Sequence, residues 1–138
     1  MKPEKNIVVS GKRKTAIAKA TIKQGDGEVR INKKPVEFYS KLKQLEIREP
    51  LVIAQDVLGK DKMNFNISVN VKGGGLSSQI EAARLAIARA IVRFTKSQKL
   101  RQAYISYDRN MIVADVRRKE SYKPGDSKAR AKRQTSYR

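Results

Sequence analysis

Between Lys62 and Lys72 the chain alternates without a break. Met63, Phe65, Ile67, Val69 and Val71 take one side; Asn64, Asn66, Ser68 and Asn70, with Lys at either end, take the other. A period of two sustained this long predicts a strand with one apolar and one polar face. The polar face must be wet or cover a polar partner. Three glycines follow, Gly73, Gly74 and Gly75, and then the period changes. Ile80, Ala83, Ile87, Ala90, Ile91 and Phe94 recur at helical spacing, which predicts an amphipathic helix from 78 to about 97 lying on the sheet. Ser78 is placed to cap that helix, with Glu81 three residues later completing a capping box. Arg89, Arg93 and Lys96 fall on the opposite side, as a solvated face or as phosphate contacts.

The rest of the pattern is weaker. "KTAIAKATIK" (14–23) sets Ala16, Ala18, Ala20 and Ile22 on one side. With the glycines of "GDG" (25–27) and then "EVRIN", it predicts a hairpin whose second strand buries Val29 and Ile31. Such small residues on the first strand imply a close-packed neighbour. "PVEFYSK" reads as a short helical turn. "EPLVIAQDVLG" reads as a helix with Pro50 in its first turn and Gly59 just past its end. "KLRQAY" reads as a further helical turn, and "NMIVADV" as a last short strand.

From Arg117 to Arg138 the sequence loses all period. Nine basic and two acidic residues, with a Pro124-Gly125 break, cannot bury enough apolar surface to fold alone. The expected organisation is a globular domain over 1–116 and a basic tail over 117–138.

Charge decides what kind of partner to look for. The chain has 138 residues, suiting one domain, and its 32 Lys and Arg against 13 Asp and Glu give +19. A compact domain so charged repels itself, and a polyanion is the natural partner. Cys and His are both absent. That excludes the usual zinc sites, thiol nucleophiles, disulfides and His-based triads, and fits a reducing, cytoplasmic setting. The start "MKPEKNIVVSGKRK" lacks the apolar run of a secretion signal, and no stretch nears the roughly 18 apolar residues needed to span a bilayer.

Three features could carry function. The glycine segment "GGGLSSQ" lacks the Gly-Lys-Ser/Thr ending of a P-loop and the spacing of a dinucleotide fingerprint. It resembles the phosphate loop of small-molecule kinases such as galactokinase and homoserine kinase, which gives a phosphotransferase as the enzyme alternative. Yet Asp108, Asp115 and scattered glutamates form no recognisable metal motif for phosphoryl transfer. The other reading is a strand–helix corner where glycine permits positive φ and close backbone approach. Lys12, Arg13 and Lys14 cluster beside the first long strand, either blunting an edge or contacting phosphate. In the tail, Arg117, Arg118, Lys119, Lys123, Lys128, Arg130, Lys132, Arg133 and Arg138 are spaced by small residues and by Tyr122 and Tyr137. An extended chain of this kind can thread between nucleic-acid strands, ordering as it binds. Without a helix-turn-helix, basic zipper or zinc finger, structured RNA is the better partner than duplex DNA. An RNA chaperone without a fixed site would need only the charge.

"GGGLSSQIEAARLAIARAI" (73–91) resembles the signature of the small-subunit ribosomal protein nine family, with Gly73, Gly74, Gly75, Ser78, Gln79, Ala82, Ala86, Ala88 and Arg89 where its pattern wants them. "GKRKTAIAKA" is similar to that family's N-terminal stretch, and "YDRNMIVADVRRKE" to the segment leading into its tail. "ARAKRQTSYR" is similar to the ending of archaeal and eukaryotic members, in which Lys is usual at the place of Thr135. The resemblance implies an α+β two-layer sandwich of the ribosomal protein S5 domain 2-like kind: a four-stranded sheet with helices on one side, plus an extended basic C-terminal tail. The kinases named above share that superfamily. The resemblance also implies a non-enzymatic, cofactor-free role in the small ribosomal subunit during translation. The expected partners are the 3′ major domain of small-subunit rRNA in the head, neighbouring head proteins, and the anticodon stem-loop of P-site tRNA. Lys12, Arg13, Lys14 and the basics from Arg117 to Arg133 would then line rRNA. Ser136, Tyr137 and Arg138 would reach the tRNA.

Overall fold

The computed structural model describes residues 6–137. Five strands form one sheet in the order β1-β2-β5-β3-β4: β1 Ile7–Arg13, β2 Ala16–Gln24, β3 Val29–Ile31, β4 Lys34–Pro35 and β5 Phe65–Lys72. Three helices, α1 Lys41–Leu58, α2 Leu76–Thr95 and α3 Gln98–Tyr107, complete an α+β architecture. The alternation that predicted β5 sorts its residues as expected. Phe65, Ile67, Val69 and Val71 are buried, while Ser68, Asn70 and Lys72 are exposed. Val9 of β1, Ala16, Ala18, Ala20 and Ile22 of β2, and Val29 and Ile31 of β3 lie on the same buried face. The opposite face is open, so the helices cover one side only.

The close neighbour implied by the β2 alanines is α2, which packs on β1, β2 and β5. Ala82, Ala83, Ala86 and Ala90 of the helix meet a strand surface of equally small residues, all of them fully buried. Gly11 carries this furthest. A Cβ there would lie 2.4 Å from the Ala82 carbonyl oxygen and 2.7 Å from the Ala86 nitrogen. Helix α1 packs beside α2, and α3 closes on both. Ser97 caps α3, accepting from the Leu100 N–H at 3.3 Å.

Several expectations are corrected. The sheet has five strands, not four, because Asn32 and Lys33 (φ 50° and 65°) turn β3 back into the two-residue β4. The segments either side of "GDG" do not pair as a hairpin. β5 inserts between them, antiparallel to β2 (Ala20↔Val69) and parallel to β3 (Ile31↔Val69), because its apolar alternation serves both neighbours. The true hairpin is β1–β2, turning on Lys14 and Thr15 with Lys14 at φ 51°. Pro50 sits mid-way along α1 rather than in its first turn, since the helix starts at Lys41. Proline costs a helix one backbone hydrogen bond there, but Pro50 is buried and its own carbonyl accepts a 2.6 Å bond from the Tyr104 hydroxyl of α3. Burial raises the Tyr104 phenol well above its ordinary pKa, so it stays a donor. β5 begins at Phe65 because Lys60–Lys62 forms a 3-10 turn. "KLRQAY" lies within a full helix, α3. "NMIVADV" is not a strand: Arg109–Met111 is a 3-10 turn, after which Met111 and Ile112 pack on the core rather than on a sheet edge.

Candidate nucleic-acid interface

The glycine segment is a strand–helix corner fitted to the β1–β2 turn. Gly73 and Gly74 take φ of 79° and 65°, which side-chain-bearing residues adopt only with strain. A Cβ on Gly73 would stand 2.6 Å from the Thr15 carbonyl oxygen, and one on Gly74 3.1 Å from the Ala16 Cβ. Gln79 turns back to donate to the Gly73 carbonyl at 3.1 Å. Gly75 has ordinary extended backbone and is itself the N-cap of α2. The expected capping box is therefore absent. Ser78 lies inside the first turns, and Glu81 reaches Arg13 instead. The corner thus holds the basic turn Lys12–Lys14 against the start of α2.

Arg13 is the pivot between that turn and the tail. Its guanidinium pairs with Glu81 at 2.5 Å and with Asp115 at 3.0 Å. Asp115 in turn accepts from Arg117 at 2.7 Å, and its carboxyl is held at a pKa of about 2. The hydrogen bonds from the Arg117 side chain and backbone are the main cause, followed by the charges of Arg117 and Arg13. The consequence is positional. Arg13, Lys14, Thr15, Arg117, Arg118 and Lys119 line one cleft of about 590 Å³. Five cations distant in sequence are concentrated where the tail leaves the domain. On the other side of Arg13, a smaller cleft of about 200 Å³ mixes signs, with Arg84 bridging Glu49 at 2.6 Å and Asp108 at 3.1 Å.

Beyond Met111 the chain has no helix or strand among the described residues. It is not straight, however. A turn at Pro124–Gly125 lets Asp126 N–H reach the Lys123 carbonyl and Lys123 N–H the Ser127 carbonyl. Lys123 Nζ and Ser127 Oγ both donate to the Ala131 carbonyl at 3.1 Å. Arg130 pairs with Glu120 at 2.8 Å and Arg133 with Asp126 at 2.5 Å, the arginines remaining 89% and 75% exposed. Lys119 lies over the Tyr122 ring, 4.2 Å from its centroid. Ion pairs this exposed are worth at most about 1 kcal/mol, so phosphate can replace them. Arg118, Lys128 and Lys132 make no ion pair among the described residues. Ser136 and Tyr137 are exposed at the tip, and Arg138 lies outside the described residues.

The sequence model of the family described as Ribosomal protein S9/S16 matches residues 11–138, from Gly11 through the whole tail. The chain belongs to the ribosomal protein S9/S16 family. It is 47% identical over 131 residues to "Small ribosomal subunit protein uS9" of Methanococcus maripaludis strain C7, spanning 93% of this chain and 95% of that protein. The protein of the same name from Methanococcus vannielii is 46% identical over the same spans. The archaeal and eukaryotic branch expected from the ending "ARAKRQTSYR" is consistent with these archaeal relatives.

Within this S9 chain, two roles are invisible in the sequence. Arg89 does not project away from the sheet. Its Nε donates to the Ile112 carbonyl at 2.7 Å and its NH1 to the Ser10 carbonyl at 3.1 Å, tying α2, β1 and the segment after α3 together. Helical spacing places it opposite the apolar stripe, but from Ala82 to Val92 no residue of α2 is exposed, so the polar side is covered at Arg89 and opens only at Arg93. Asp115, paired with Arg13 and Arg117, seats the root of the tail. The one available signal is an acid two residues before a long basic run.

Proposed function

We propose that this chain is a structural, non-enzymatic component of the small ribosomal subunit in the cytoplasm, that it binds rRNA of the 3′ major domain in the head, and that its tail reaches P-site tRNA. The observation that carries the reading is the basic cleft where Lys14 and Arg13 meet Arg117, Arg118 and Lys119, continuous with an exposed basic tail. Family membership and the printed names of the relatives support the subunit. On this reading Lys12, Lys14 and the cations from Arg117 to Arg133 neutralise rRNA phosphates, and Arg13 sets the exit of the tail. Lys123, Arg130 and Arg133 exchange their weak internal partners for phosphate as the loop straightens, and Lys128 and Lys132, which make no ion pair among the described residues, bind phosphate beside them. Ser136, Tyr137 and Arg138 touch the anticodon stem-loop by phosphate contact rather than base readout. Neighbouring head proteins complete the surroundings.

The test is removal of residues 136–138. Subunits should assemble normally and release P-site tRNA faster in a chase with excess competitor. Equal retention by truncated and intact subunits would refute the tRNA contact. Failure of the intact chain to co-sediment with small subunits at roughly half-molar salt, which strips most purely ionic binding, would refute the ribosomal reading itself.

A further inference from the structure

The face of the sheet that no helix covers is a candidate second RNA surface, distinct from the cleft and the tail. Strand register lays it out in rows. Lys12, Ile17 and Lys72 stand side by side on β1, β2 and β5; Ser10, Lys19 and Asn70 form the next row; Val8, Thr21, Ser68 and Arg30 the next; Lys23 and Asn66 the last. With strands about 4.8 Å apart and residues about 3.3 Å apart, the field measures roughly 14 by 20 Å. Lys12, Lys19, Lys23 and Lys72 are all exposed, and among the described residues none of them takes part in an ion pair. The acid nearby, Glu28, is already bound to Arg30 at 2.6 Å. Lysines without carboxylate partners on one flat face attract a polyanion.

The chemistry between the lysines narrows the occupant. The strands carry a single aromatic side chain among the described residues, Phe65, and it turns into the core. Splayed bases would therefore find nothing to stack on. What the face offers instead is Ser10, Thr21, Ser68 and Asn70, short donors and acceptors set among the cations. A shallow depression of about 500 Å³ runs beside Thr21, Lys23, Arg30 and Ser68. The wide, shallow minor groove of A-form RNA displays 2′-hydroxyls between two lines of phosphate. The geometry points to this sheet face as a docking surface for an RNA duplex, held by lysine–phosphate contacts and by hydroxyl and amide contacts to riboses. Lys12 stands at the end of β1 next to the Lys14 turn, so the face is continuous with the basic cleft. The inference rests on the reading of the chain as an RNA-binding ribosomal protein.

The experiment is fluorescence anisotropy of the full chain on an RNA duplex of about 20 base pairs, and on DNA of the same sequence, over a range of salt. The triple variant Lys19→Gln, Lys23→Gln, Lys72→Gln should lower the slope of log affinity against log salt by roughly 2 to 3, about 0.9 for each phosphate no longer neutralised. The matching Lys→Arg triple should restore it. A second variant, Thr21→Val, Ser68→Ala, Asn70→Ala, should cut the preference for RNA over DNA about tenfold, the worth of three modest hydrogen bonds. A Gln triple that keeps the wild-type slope overturns the surface while leaving the tail and cleft standing. The same holds if it keeps RNA affinity but loses capture of an acidic subunit protein, which would make the face a protein interface. If the intact chain shows no salt-dependent RNA binding at all, the underlying function fails instead.

Discussion

Replacing Gly11 by Ala tests whether α2 lies as close to β1 as the packing requires. A glycine within a strand ordinarily costs about 0.5–1 kcal/mol relative to alanine, so in open space the substitution would stabilise the fold. Here the new methyl meets the Ala82 carbonyl oxygen at 2.4 Å and the Ala86 nitrogen at 2.7 Å. Both are backbone atoms of one helix, and no rotamer change can move them. To reach ordinary contact the helix must retreat by about 1 Å, loosening its seat on β1, β2 and β5 together. Overpacking of a well-packed core costs about 1–3 kcal/mol. Taking the upper end and subtracting the gain in the unfolded chain leaves a net loss of about 2 kcal/mol. At roughly 4 °C per kcal/mol for a domain of this size, Tm should fall by about 8 °C. Thermal unfolding followed by circular dichroism reads this directly. Adding Ala86→Gly should recover little, because the tightest contact is to backbone. An unchanged or raised Tm for Gly11→Ala would refute the close approach, since the two effects differ in sign.

Two further outcomes are expected. Arg89→Leu should cost about 2 kcal/mol in denaturant unfolding through loss of its charged hydrogen bonds to the Ile112 and Ser10 carbonyls, whereas Arg93→Leu, four residues on and exposed, should stay within about 0.5 kcal/mol; equal effects would return Arg89 to the solvated face. The folded pKa of Asp115, about 2, lies below the ordinary carboxylate value near 3.9, so its hold on the tail root is complete above about pH 4 and is lost as pH falls toward 2. Exchange of the Arg117 amide, whose N–H donates to Asp115 at 2.9 Å, should rise relative to its intrinsic rate as pH falls across that window in the natural chain. In Asp115→Asn it should already be raised at pH 7 and change far less on acidification.

What can be read in advance is whatever depends on a repeated local choice. The alternation from Met63 to Val71 and the helical spacing from Ile80 to Phe94 each commit many side chains to one face, so β5 and α2 are legible. The β1–β2 hairpin is not. Its turn is Lys14–Thr15, and a lysine at φ 51° gives no glycine signal, while "GDG" gives a strong one at a place where the strands part. Pairing of β5 with both β2 and β3 spans some forty residues, and local pattern carries no information about it. A helix start at Pro50 follows from a rule that holds for isolated helices, and the tertiary bond from Tyr104 lies outside that rule. At the interface the charges are visible but their pairing is not. Arg13 looks like one of three equivalent cations, and only the fold brings Glu81 and Asp115 to it. The loop within the tail is hidden because its bonds run through a few weak interactions around Pro124–Gly125 rather than through a period.

The position of β5 in the sheet has a consequence for the order in which the chain is made. A ribosome synthesising this protein delivers β1 to β4 and α1 before any of β5 exists, yet β2 and β3 have no common partner until it does. Until residue 72 is out of the tunnel, β2 and β3 each present an unpaired border with apolar side chains on one flank, the condition in which nascent strands join the wrong neighbour. β5 acts as a keystone. Its arrival closes both borders in a single event, and α2, next in line, immediately roofs the joint. The basic tail, emerging last, is therefore released beside a finished domain rather than an open one.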